Sequence, residues 1–219
     1  MGEMIKHLSE IESAIWAIGV TGLFALGISI ERARAFYLKY NLKSDTFMKQ
    51  LNSLLYADQI EEAIAFCDAN KQRPMAHIIK AVLERADRDE ESMKKGFEIA
   101  FIEVMPNLTK RLGYIALCSN LATLIGLLGT VHGLIMGFSA VAGADPSQRQ
   151  SLLSSAISLA MNATMMGLLV AIPFLVVFAV LSAKKDSLLT DCAENGSKVL
   201  DILTSRIYRE TEAEAKKAA

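Results

Sequence analysis

Residues 112–144 read LGYIALCSNLATLIGLLGTVHGLIMGFSAVAGA, and these 33 residues contain no Asp, Glu, Lys or Arg. Residues 151–183 form a second block of 33 residues that lacks the same four residue types. A bilayer core of about 30 Å is crossed by roughly 20 helical residues, so each block is long enough to span a membrane with some tilt. A buried core helix is the alternative interpretation, but two such blocks in 219 residues favour membrane helices.

A third charge-free block lies near the N-terminus, at residues 13–30. A secretory signal peptide is the alternative here, but Lys6 is outnumbered by Glu3, Glu10 and Glu12, so the positive flank of a signal is missing. We therefore predict a retained transmembrane helix. The predicted fold is an all-α polytopic membrane protein with three transmembrane helices, the second and third of which extend into a cytoplasmic helical domain.

The composition of the whole chain excludes several classes of protein. The net charge is −1, with 52% hydrophobic and 21% charged residues. A balance this close to neutral argues against nucleic-acid binding, and the apolar content argues against intrinsic disorder. Soluble catalytic signatures such as a P-loop, H-E-x-x-H or G-x-S-x-G are missing from the sequence. We therefore expect no enzymatic activity, no catalytic residue, no cofactor and no metal site.

The basic residues outside the three blocks predict the orientation of the chain in the membrane. Five Lys or Arg residues follow the first block and four precede the second, whereas the opposite side has only Lys6 and Arg149. The N-terminus is therefore predicted to lie outside and the C-terminus in the cytoplasm. The predicted segments are an external N-terminus (1–12), transmembrane helix 1 (13–35), a cytoplasmic helical domain (36–111), transmembrane helix 2 (112–142), an external loop (143–152), transmembrane helix 3 (153–183) and a cytoplasmic C-terminal helix and tail (184–219).

The segment before the second block is predicted to form helical hairpins, because its apolar residues recur at helical spacing. A helix that begins at about Asp89 is expected to run straight into the second block. Pro106 is the one residue that interrupts this pattern, and we expect it to kink the helix or to mark a joint.

Polar residues inside the second and third blocks form the candidate site, because polar groups in a bilayer are costly and often functional. If these blocks form an antiparallel hairpin that turns near Ser147, residues at equal distance from the turn share one depth. This rule pairs Thr130 with Thr164 and His132 with Asn162. The threonine hydroxyls have an alternative partner in the carbonyls of their own helices. His132 has two interpretations, as a titrating group or as a neutral hydrogen-bond partner of Asn162.

Small residues form a second pattern in the same two blocks. They recur every three or four residues, a spacing that lets helix backbones approach closely and that favours oligomerisation. Neither block contains a carboxylate, so a proton path through this chain needs an acid from a partner chain. The predicted helix-packing residues are Gly126, Gly129, Gly133, Gly137, Ala163, Gly167 and Ala171.

Two of these stretches resemble a known family. The run GLLGTV at residues 126–131, followed by His132-Gly133 and Phe138, is similar to the GLLGTVxG…F signature of the MotA/TolQ/ExbB proton-channel family. The run AMNATMMGLLVAIP at residues 160–173 resembles the third-helix motif of that family, and Ile30-Glu31-Arg32 also fits its pattern. Three spans in 219 residues suit the ExbB/TolQ-like branch better than the four-span flagellar stators.

The resemblance implies a bacterial inner-membrane subunit that converts ion motive force into mechanical work on the cell envelope. It implies a homopentameric ring around an ExbD/TolR-like single-span protein that supplies a membrane Asp, with a TonB/TolA-like protein as a further partner. The family's two threonines, which match Thr130 and Thr164, line the path near that Asp, and Pro173 belongs to the packing motif. Two positions depart from the family pattern, Thr123 in place of Pro and Leu159 in place of Glu. A non-conducting scaffold that anchors such a partner is the alternative.

Overall fold

The computed structural model describes the backbone of residues 2–40 and 44–218, and side chains for residues 15–37, 40 and 46–209. All regular structure in these residues is helical. The elements are α1 (Gly2–Arg34), a π-helix (Ala35–Lys39), α2 (Ser44–Tyr56), α3 (Ile60–Ala69), α4 (Pro74–Leu83), α5 (Glu90–Thr109), α6 (Leu112–Ala142) and α7 (Arg149–Ala218).

Three helical stretches are long and apolar enough to cross a bilayer. They are Ile15–Tyr37, the α5–α6 stretch Glu90–Ala142, and Arg149–Arg209 within α7. The prediction of an all-α polytopic membrane protein with three spans is therefore confirmed. The helices of the second and third spans also continue well beyond the two charge-free blocks.

The chain enters α6 through a break that differs from the sequence prediction. The helix from Asp89 does not run straight into the second block, because α5 ends at Thr109 and Arg111 adopts a left-handed backbone with φ of 63°. Pro106 lies inside α5 and three further residues continue the helix after it. A proline removes one hydrogen bond on its N-terminal side and leaves the following turn intact. The joint therefore falls at Lys110–Arg111 and not at the proline.

The described residues fall into two compact units. The membrane unit comprises Met1–Ala33 and Arg111–Ser182, and the polar unit comprises Arg34–Lys110 and Ala183–Ala219. In the membrane unit, Ile18 of α1 packs with Ala122 of α6 and Ala171 of α7, so all three spanning helices share one small core.

The polar unit has a larger apolar core. Helices α2 to α5 pack on one another in chain order, and the rings of Phe47 and Phe66 stack with centroids 5.0 Å apart. Such helices bury an apolar stripe and expose their charges. The largest fully buried side chains of this unit are Phe36, Leu51, Ile78, Ile79, Val82, Leu83, Met93, Leu108, Val199 and Cys67.

Cys67 in this core is expected to resist alkylation in the folded protein. Burial raises the pKa of the Cys67 thiol to about 12, and nearby Lys80 opposes that shift only in part. Only the thiolate reacts, so a pKa raised by about three units lowers the reactive fraction at neutral pH roughly 1,000-fold. Maleimide labelling followed by peptide mass mapping at pH 7.5 tests this, with Ala69→Cys on the exposed side of α3 as the matched control. Rapid labelling of Cys67 without denaturant would contradict the prediction.

Candidate functional site

Helices α6 and α7 meet along a seam of small residues. A Cβ atom added at Gly129 would lie 2.7 Å from the Cβ of Ala163, and one added at Gly133 would lie 3.0 Å from the Cβ of Ala160. The first distance is shorter than real Cβ atoms show and the second is tighter than most Cβ contacts, so a larger residue at Gly129 would force the two helices apart. Close backbone approach of this kind is what holds helices together in lipid, where the hydrophobic effect does not act between them.

Other predicted packing residues extend the seam in both directions. Gly126 and Gly167 face each other so closely that an added Cβ on either would meet backbone atoms of the opposite helix. Gly137 faces Ala156 near the turn, and Ala171 is buried at the other end. Pro173 lies inside α7 on an exposed face, away from the seam.

The seam fixes the depth of the two threonines. Gly129 lies opposite Ala163, and Thr130 and Thr164 are the next residues on their helices. Because the helices are antiparallel and rise about 1.5 Å per residue, the two threonines lie within roughly 3 Å of one depth. Each is also rotated by about 100° from the seam residue that precedes it, and because the helices are antiparallel both rotations lead to the same side of the hairpin. We refer to the side that carries Thr130 and Thr164 as the threonine flank.

The hydroxyl groups of the two threonines converge on adjacent carbonyl oxygens of α6. Thr164 Oγ1 donates across the helix pair to the carbonyl of Gly126 at 3.1 Å. Thr130 Oγ1 donates to the carbonyl of Leu127 on its own helix at 2.6 Å. A hydroxyl has one proton and two lone pairs, so both oxygens retain acceptor capacity. Both side chains are half-buried in the single chain, which leaves the flank accessible to a neighbouring helix.

His132 and Asn162 lie on the other side of the hairpin. Each is two residues from a threonine of its own helix, and two residues turn a helix by about 200°. His132 also lies two turns after Ile125, and Ile125 and Val170 pack beside Ile18 of α1. The four predicted ion-path residues therefore form two pairs on opposite flanks of the hairpin, and the described contacts of α1 lie on the flank of His132 and Asn162.

Two further hydroxyls belong to this hairpin, and depth matching alone did not identify them. Ser119 is buried and donates to the carbonyl of Ala171 on α7 at 2.6 Å, so it ties the two helices together below the threonines. Thr123 donates to the carbonyl of Ser119 at 3.2 Å. It lies seven residues before Thr130, which places it on the same face of α6. This spacing of seven residues is the sequence pattern from which Thr123 could have been assigned to the face of Thr130.

Comparison with known proteins gives consistent results. The model of the MotA/TolQ/ExbB proton channel family matches residues 70–194. An ExbB homologue of Methanothermobacter thermautotrophicus is 30% identical over 185 residues, which cover 84% of this chain and 63% of the homologue. The ExbB-like protein 2 of Helicobacter pylori is 40% identical over 83 residues, which cover 38% of this chain and about half (55%) of that protein.

The fold also matches a solved structure, that of MotAB from C. jejuni. The TM-score is 0.62 at 15% sequence identity, and the match covers 89% of this chain and 75% of the solved chain. At this identity the match establishes the fold only.

Proposed function

Because the chain belongs to the MotA/TolQ/ExbB proton channel family, we propose that it is the multi-span stator subunit of an ion-driven motor in a bacterial inner membrane. In this proposal it works without enzymatic chemistry. Several copies, five by family resemblance, surround an ExbD/TolR-like single-span protein that supplies a membrane Asp. The N-terminus lies in the periplasm and the C-terminus in the cytoplasm. Work on the cell envelope follows through a TonB/TolA-like protein or an equivalent load.

One observation carries the proposal. The threonine flank presents two hydroxyl oxygens at one depth of a hairpin whose spans contain no Asp, Glu, Lys or Arg. Both hydroxyl protons already bind carbonyl oxygens of α6, so the flank offers acceptors to its surroundings. An acceptor pair favours a protonated carboxyl group or a cation over a bare carboxylate. This is the environment in which a partner's Asp would accept a proton during its passage.

The energy that one ion releases limits the mechanical work that such a motor can do in each stroke. One elementary charge that crosses about 100 mV releases roughly 2.3 kcal/mol. This amount is small compared with the energy that packs a multi-subunit complex. We therefore expect each stroke to need either several protons or a low-friction contact between the threonine flank and the partner helix.

Proton uptake into liposomes tests the proposal. The vesicles contain this chain alone, this chain with a single-span protein from the same genome that carries a membrane Asp, or the same pair with that Asp replaced by Asn. We expect uptake only from the intact pair, because neither component alone combines the titrating acid with the acceptor flank. Uptake by this chain alone would contradict the proposal.

The second candidate function is a scaffold that anchors such a partner without conducting. Leu159, where the family usually has Glu, favours this alternative because it removes one carboxylate from the third span. The same experiment separates the two functions. A pair that assembles in the membrane but gives no uptake above empty vesicles supports the scaffold.

A further inference from the structure

A groove with a volume of about 390 Å³ opens on the membrane unit between α1 and α6. Most of its lining is apolar and exposed in the single chain, as expected for a surface that faces lipid or another apolar group. Gly27 widens the groove, since a Cβ added there would meet nothing within 4 Å. The uncharged lining residues are Leu23, Phe24, Gly27, Ile28 and Tyr114.

One end of this groove carries an ion pair. Arg111 Nη1 donates to both carboxylate oxygens of Glu31, at 2.6 Å for Oε2. The two side chains are about half exposed, at 44% and 52%. A guanidinium has five N–H donors and a carboxylate has about four acceptor positions, so both groups can bind a further partner. The rim is therefore neutral overall, but it presents a cation and an anion side by side.

The groove is apolar at one end and charged at the other, and the two ends lie at different depths along the membrane normal. Leu23 precedes Glu31 by eight residues, which corresponds to roughly 12 Å along α1. The charged pair lies at the end of α1 that the basic residues predict to be cytoplasmic, and Tyr114 lies at the same end. Aromatic residues favour this interfacial level of a bilayer. An occupant must therefore have a long apolar part and a charged end.

We propose that this groove binds one phospholipid with a zwitterionic, primary-amine head group, of the phosphatidylethanolamine class. The lipid phosphate accepts hydrogen bonds from Arg111, the ammonium donates to Glu31, and one acyl chain lies along Leu23 and Phe24. A phosphatidylglycerol head group has a phosphate but no cation for Glu31. A phosphatidylcholine head group has a cation without any N–H donor. The proposal is independent of the motor function.

Competitive lipid retention tests this proposal. The full chain is reconstituted in vesicles of equal parts dioleoyl phosphatidylethanolamine, phosphatidylglycerol and phosphatidylcholine, extracted in mild detergent, and analysed for bound lipid by mass spectrometry. Partly exposed ion pairs contribute little each, so we expect phosphatidylethanolamine to be enriched about threefold over the other two lipids. Equal retention of the three lipids would overturn the proposal without any need for a variant.

Two variants locate the lipid. Glu31→Gln leaves Arg111 as an unneutralised cation, so retention is expected to shift toward phosphatidylglycerol. Gly27→Leu fills the groove and is expected to lower retention of all three lipids. Gly19→Leu is its matched control, because Gly19 is on the same helix, outside the groove, and also has open space around it. If Gly27→Leu changes the oligomeric mass and not the lipid content, a second copy of the chain occupies the groove and the proposal fails.

Discussion

In the proposed motor, Thr164→Val is expected to lower proton uptake at least about tenfold, which corresponds to roughly 1.4 kcal/mol in the barrier. Valine has nearly the shape of threonine but lacks the hydroxyl, which donates to the carbonyl of Gly126 and keeps its lone pairs free to accept a hydrogen bond from the proposed partner's carboxyl group. Thr130→Val removes the second oxygen of the pair, and we expect a loss of similar size. The measurement is the rate of uptake in liposomes that contain the chain and its acid-bearing partner.

The experiment distinguishes a loss of proton uptake from a loss of folded protein, because the amount of each variant in the membrane is compared with its uptake. A hydrogen bond between membrane helices contributes about 0.6 kcal/mol on average, so the Val variants should reach the membrane at near-normal levels. Thr164→Ser keeps the hydroxyl and is expected to retain uptake. Thr21→Val is the matched control, because Thr21 bonds only to the carbonyl of Ala17 on α1. If both flank variants conduct like the wild type, the threonine path is wrong.

Gly167→Ala is expected to destabilise the membrane unit strongly. The added Cβ would lie 2.6 Å from the carbonyl oxygen of Ala122 and 3.1 Å from the Cα of Gly126. Both atoms are backbone atoms, so no side chain can rotate away and the two helices must separate. Overpacking typically costs about 1–3 kcal/mol, and we expect the unfolding temperature in detergent to fall by roughly 5 °C or more.

A glycine of α6 that lies outside the seam provides the control for this substitution. Gly113 has nothing within 4 Å of an added Cβ, and alanine is the better helix former by about 1 kcal/mol. Gly113→Ala should therefore unfold at the wild-type temperature or slightly above it. Thermal unfolding followed by circular dichroism compares the three proteins. Equal unfolding temperatures for Gly167→Ala and the wild type would show that the seam is looser than its geometry indicates.

The sequence was sufficient to predict the spans and the depth of the hairpin residues. Charge-free length determines which segments enter a bilayer, and the spacing of small residues determines where two helices touch. The separation of Thr130 from His132 was missed because depth matching uses only the rise along a helix. The rotation of about 100° per residue shows that Thr130 and His132, two residues apart, point to opposite sides of α6.

The break before α6 was not predictable in the same way. Proline at residue 106 is a visible signal, but the backbone turns at Arg111, whose φ is 63°. Arginine seldom adopts a left-handed conformation, and nothing in its residue type marks the site. The ion pair with Glu31, 80 residues earlier in the chain, forms only in the folded structure. Tertiary contacts of this kind are not encoded in any local pattern.

The hydroxyl groups of the α6–α7 hairpin affect how easily the newly made chain inserts into the membrane. Ser119, Thr123, Thr130 and Thr164 each bond to a backbone carbonyl, and the two spans bring no charge into the lipid. These four hydroxyl groups therefore need no partner outside the hairpin when it enters the hydrocarbon core of the bilayer. We therefore expect this chain to insert and to remain in the membrane when it is expressed alone, and fractionation of the membranes checks this.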